Sequence, residues 1–289
     1  IIDSIKNQEE LDLLRLVYRD MLYVVGVYSP LPTRVRALEK LGMQSKDIHN
    51  LIDTDSGEEK SYGQTVAKTF PQSDIFLRIE NFVESQICDK VERFLHLILG
   101  TKVITPTTTE TAMYAAASAA GNSACLSRQV GASIVDRSGD VIAVGWNDVP
   151  RYGGGLYSGE ASTNDDHRCW NIDGAACFND LEKREISKLL VSELISAGVI
   201  TEASKDEAVS LVLKNSKLKN LIEFSRSVHA EMHAIINAGR SSGERIRGGK
   251  MFVTTYPCHN CARHIIAAGI EEFHYIEPYR KSLATRLHD

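Results

Sequence analysis

His229-Ala230-Glu231 and Pro257-Cys258-His259-Asn260-Cys261, whose first cysteine lies 29 positions after the histidine, are the stretches on which the reading of this chain turns. Each opens a helix. The apolar spacing predicts one helix over about Val228 to Ala238 and another over Cys258 to Ala268, with a strand, Lys250 to Thr255, between them. Pro257 fits a helix entrance and helps to fix that turn. One histidine and two cysteines from two helix starts can supply three zinc ligands and leave a fourth position open, the mark of a catalytic site. Both thiolates would sit in a first helical turn, where the dipole and a metal favour the deprotonated form.

Charge counting then gives the glutamate a role. Zinc with two thiolates and a neutral imidazole retains no net charge, so it activates water only in part. Glu231, two residues after the histidine, points to another side of the turn and can take the water proton without binding metal. Together the two stretches make the His-x-Glu … Pro-Cys-x-x-Cys signature of nucleobase deaminases, in which a zinc-activated water attacks the amino-bearing ring carbon. The competing readings are a structural zinc knuckle or two buried thiols. His233, one turn after His229, reads as core packing, because two cysteines already complete the ligand set.

Outward from this centre, Val130 to Asp136 and Val141 to Trp146 read as two strands around the turn Arg137-Ser138-Gly139-Asp140, after a helix from Glu110 to Gly121. Residues 148–227 form a long insertion, polar and glycine-bearing at first, then carrying helices over Leu181 to Ala197 and Lys205 to Asn215. A lid, an allosteric nucleotide site and an oligomer contact are all open readings of it. A final strand, Glu272 to Glu277, closes the pattern. Upstream, the threonine-rich, proline-bearing stretch from Thr101 to Thr109 reads as a linker and helix cap. Before it, helices (Gln8 to Arg19, Pro32 to Leu41, Gly63 to Phe70, Gln86 to Leu99) alternate with strands (Met21 to Tyr28, taken as a buried parallel strand, and Asp74 to Ile79). That alternation predicts part of a doubly wound α/β domain.

From about Thr109 to Tyr279 the chain resembles the deoxycytidylate deaminases of the zinc cytidine-deaminase superfamily. The matching segments are 130–135 (VGASIV), 145–147 (GWN), 228–231 (VHAE), 254–258 (TTYPC) and 267–270 (AAGI). The resemblance implies a cytidine-deaminase-like three-layer α/β/α domain over 105–289 with Zn2+ as cofactor. His229, Cys258 and Cys261 would be metal ligands and Glu231 the catalytic proton shuttle. It implies that Asn147 contacts the nucleotide sugar, a role an amide suits. Tyr256 could pack on the pyrimidine. The tail from Tyr275 to Ala284 and the first half are similar to two-domain bacterial antiphage deaminases, which join a P-loop kinase-like half to the deaminase. Residues 1–104 would then be a partial domain of that kind. The implied reaction is hydrolytic deamination of dCMP, dCTP or both, at C4, which depletes dCTP.

Other features bound the reading. No Gly-x-x-x-x-Gly-Lys loop occurs; the nearest fit, Gly154 to Gly159, is followed by Glu160. Kinase activity is therefore not expected. The chain opens at Ile1-Ile2-Asp3 without a methionine, and further sequence is expected upstream. A net charge of −5 and 7% aromatics disfavour a polymeric nucleic-acid substrate, which would want a basic, aromatic groove. A transfer-RNA or single-strand editor and a nucleotide sensor with structural zinc remain the alternatives. Six cysteines are too sparse for a disulfide scaffold, and no apolar run approaches a membrane span, so a cytoplasmic enzyme is expected. It is expected to form a homo-oligomer, again from the resemblance. Cys125, His167, Cys169 and Cys177 offer a possible auxiliary metal set or a solvated loop with packed cysteines. Arg34, Arg36, Arg280 and Lys281 read either as phosphate-neutralising groups or as exposed cations.

Overall fold

A computed structural model describes the chain except for residues 57–65, 80–83, 173, 216, 279–281 and 289. It divides into two compact units, Ile1–Thr105 and Pro106–Asp289.

The first unit contains α1 (Gln8–Tyr18), β1 (Val25–Tyr28), α2 (Leu31–Lys40), α3 (Ser45–Ser56), α4 (Val66–Thr69), β2 (Ile75–Arg78) and α5 (Glu84–Leu99). The Asn7 side chain caps α1 by accepting from the Glu9 backbone N–H. Strands β1 and β2 pair in parallel, Val25 opposite Ile75. The expectation of a buried strand from Met21 needs correcting. Residues 19–21 turn as a 3-10 helix, so the strand starts at Val25, and Val25 and Val27 on one face are 46% and 56% exposed. Two strands alone cover only one face, on which Gly26 lies against Ser73 and Phe70. The expected helix over Gly63 to Phe70 falls partly outside the described residues. Helix α3 was not anticipated.

The second unit is built on a four-stranded sheet ordered β4-β3-β5-β6. Its elements are α6 (Thr108–Ala120), β3 (Gly131–Val135), β4 (Val141–Trp146), α7 (Phe178–Ser196), α8 (Lys205–Asn215), α9 (Ala230–Ser241), β5 (Lys250–Thr255), α10 (His259–Ala267), β6 (Glu272–Glu277) and α11 (Ala284–His288). Strand β3 runs antiparallel to β4 and β5, and β5 runs parallel to β6. All five β3 residues are buried, because both faces of the sheet are covered. Period-2 alternation sorts them. Ala132 and Ile134 pack with Met251 and Val253 against Ala230, Ala234 and Ala238 of α9 and against α10. Val135 and Phe252 pack with Ala112 and Ala116 of α6, and the Ser133 hydroxyl donates to the Ala112 carbonyl on that side. The result is a helix–sheet–helix sandwich.

Two glycines permit its tightness. A Cβ on Gly131 would collide with the Ala116 carbonyl, and one on Gly145 with the Ala234 N–H and Ala230 carbonyl. Helices α6 and α9 therefore lie directly on the strand backbone. Helix α6 begins with a reciprocal capping box, Thr107 with Glu110.

Candidate active site

The insertion leaves the sheet after β4 and returns at one antiparallel bridge, Asp148 opposite Val228, with Val228 N–H donating to Asp148 O at 2.9 Å. That bridge delivers the chain to His229, the N-cap of α9. Cys258 is the N-cap of α10, its sulfur accepting from the Cys261 N–H. Parallel pairing of β5 with β6 sets the height at which α10 starts, so the two helix N-termini converge beyond the strand ends.

Their side chains meet there. His229 Nδ1 lies 3.5 Å from Cys258 Sγ and 3.3 Å from Cys261 Sγ, and all three ligand atoms fall within 4.8 Å of one another. A tetrahedral zinc with usual bond lengths separates nitrogen from sulfur by about 3.6 Å. The donor set and its spacing therefore fit zinc, with a fourth position open.

Hydrogen bonding from Cys261 and the facing His229 hold the Cys258 thiol down to about 4. The Cys258 thiolate raises His229 to about 9, and together with burial it pushes the Cys261 thiol up. Glu231 is buried in the first turn of α9, and burial raises its carboxyl above the usual range.

His229, Glu231 and Cys258 line a cavity of about 360 Å³, a volume suited to a small ligand. Tyr256 lines it, with its ring edge-on to Tyr275. Asn147 lines it too, but its amide is largely engaged: Oδ1 accepts from Val130 N–H at 2.7 Å and Ser123 Oγ at 3.1 Å, and Nδ2 donates to Arg128 O at 2.7 Å. Asn147 thus holds the 123–130 loop, and one amide hydrogen is left for a ligand. His233 is buried edge-on to Trp146, and burial lowers its pKa. His233 Nδ1 accepts from the Trp146 backbone N–H at 3.2 Å, and Asn237 Nδ2 lies 3.1 Å from Nε2. Its place is in the core, as the spacing indicated.

The auxiliary metal set is not assembled. Among the described residues the only group of three such ligands is His229, Cys258 and Cys261. Cys125 Sγ instead accepts from Ser227 Oγ, Cys169 Sγ lies 3.9 Å from Arg226 Nη1, and His167 packs on Tyr157. Cys125, Cys169 and Cys177 do line the cavity. Arg34 and Arg36 belong to the first unit, and Arg280 and Lys281 lie outside the described residues. Sequence reading missed the cavity's two arginines, Arg128 and Arg226.

Residues 106–277 match the family described as the cytidine and deoxycytidylate deaminase zinc-binding region. The chain belongs to this family. It is accordingly a deaminase with zinc as its metal, and the His-Cys-Cys trio is the group that can hold it. Deoxycytidylate deaminase of Enterobacteria phage T2 is 29% identical over 164 residues, 55% of this chain and 74% of the relative. Its counterpart from phage T4 is 29% identical over 160 residues, 55% and 72% of the two chains. The crystal structure of dCMP deaminase from the cyanophage S-TIM5 with dCMP and dUMP covers 64% of this chain and 92% of its own. It is 22% identical, at a TM-score of 0.37, too loose a likeness to carry weight. No helix of the described residues of this deaminase is long and apolar enough to cross a membrane.

Proposed function

We propose that the enzyme hydrolyses the 4-amino group of a deoxycytidine nucleotide, dCMP, dCTP or both, to give the deoxyuridine nucleotide and ammonia. The observation that carries this reading is the convergence of His229, Cys258 and Cys261 beside a buried glutamate, with His229, Cys258 and Glu231 lining a nucleotide-sized cavity. The named phage relatives support the choice of substrate.

Zinc held by the trio would supply a Lewis acid that lowers the pKa of a water at its open position. Glu231 takes a proton from that water as its oxygen adds to C4, and delivers the proton to N3. It then carries the second water proton to the amino nitrogen as the C4–N bond breaks, while the N–H at N3 is retained in the uracil product. A carboxyl whose pKa is raised by burial is suited to hold a proton between these steps. Asn147 offers its remaining amide hydrogen to the sugar, and Tyr256 a ring face or edge to the base.

The two-domain antiphage reading, with residues 1–104 as a partial P-loop kinase-like domain in a cytoplasmic homo-oligomer, belongs to the same proposal. The parallel β1–β2 pair and the helices around it in the chain support only the α/β character of its first half. Zinc-loaded protein given deoxycytidine, dCMP, dCTP and a cytosine-bearing single strand tests the activity through ammonia release. Turnover of dCMP or dCTP is expected. Turnover of the strand alone overturns the reading in favour of a polymeric substrate.

A further inference from the structure

Part of the cavity wall comes from the insertion, and two of its groups lack the partners their chemistry calls for. Arg226 is half-buried there. Its guanidinium lies 4.8 Å from the Phe178 ring centroid and 3.9 Å from Cys169 Sγ, and no carboxylate pairs with it among the described residues. The other cavity arginine differs: Arg128 is neutralised by Glu277 at 2.9 Å. Next to Phe178, Asn179 donates through Nδ2 to the Leu221 carbonyl, yet its buried Oδ1 accepts nothing.

The Asn179 oxygen is sealed from the cavity, so the unmatched cation is what a ligand can answer, and the ligand it calls for is an anion. A nucleotide carries one and a nucleoside does not. Contact with the Phe178 ring restrains the guanidinium, whose fork can take two phosphate oxygens at once. We propose that Arg226 reads the 5′-phosphate of the substrate, so that the insertion is the wall that selects nucleotides over nucleosides. This rests on the nucleotide-deamination reading above.

Calorimetric titration of the zinc-loaded full chain with dUMP and with deoxyuridine tests the assignment without relying on turnover. The wild type is expected to prefer dUMP by roughly 100-fold, the scale of a hydrogen-bonded charge pair out of bulk water. Arg226→Gln is expected to reduce that preference to a few-fold, and Arg226→Lys, which keeps the charge without the fork, to fall between. An unchanged preference in Arg226→Gln, or equal weakening of both ligands, overturns the assignment. Should the glutamine variant fail to fold, the lysine variant decides: a preference undiminished there overturns it too. Wild-type protein that prefers dUMP but deaminates no nucleotide would sink the functional reading and leave Arg226 in place. Turnover of dCMP with no preference for dUMP would do the reverse.

Discussion

Glu231 is a carboxylate in a place where a carboxylate is costly, and the metal trio around it is equally unsettled without its ion. The Cys258 thiol is held down to about 4, His229 is raised to about 9 and the Cys261 thiol is pushed up. Zinc requires the deprotonated form of each. Zinc binding at pH 7 should therefore release protons, and calorimetry in buffers of different ionisation enthalpy measures this; zero release contradicts zinc held by two thiolates and a neutral imidazole. His229→Ala or Cys258→Ala should lose the stoichiometric zinc altogether, read by elemental analysis.

At the scale of elements, the site depends on how closely α9 lies on β4. Gly145→Ala places a methyl where the α9 backbone runs, and His229 and Glu231 ride on that helix. The variant should lose about 1–3 kcal/mol of stability and on the order of 10-fold or more in kcat/KM. Thermal melts and kinetics check both. The insertion has its own anchor: buried Arg168 pairs with Asp166 at 2.7 Å, approaches Asp148 at 3.7 Å and donates to the Ser158 carbonyl. Hydrogen bonding from Arg168 holds the Asp166 carboxyl below its usual range. A carboxyl depressed in this way stabilises the fold above its unfolded pKa of about 3.9 and loses that effect as pH falls through the lower folded value. Asp166→Asn should thus cost about 3 kcal/mol at pH 7, and the gap to wild type should narrow below about pH 4. A gap that widens in acid contradicts the sign.

Over the whole molecule, every residue of the cavity lies between Pro106 and Asp289. A protein of residues 106–289 should bind zinc and keep the dUMP preference; one that binds neither contradicts this. The sheet and the trio were legible in the sequence because their signals are local: period-2 strands from Gly131 to Trp146, and ligands at two helix starts. The insertion's part of the cavity wall was not. Phe178 and Arg226 lie 48 positions apart in the chain and meet only when the insertion folds. The edge of β1 misled for a related reason. Apolar content marks a strand, but its burial depends on neighbouring strands that no local pattern encodes.

The central claim is that Glu231 moves protons beside a zinc it does not bind. Ammonia release from dCMP and dCTP by wild type and Glu231→Ala at matched zinc content tests it most directly. Full zinc occupancy in both and a loss of at least about 100-fold in the variant are expected. A zinc-replete Glu231→Ala protein with wild-type turnover would contradict it.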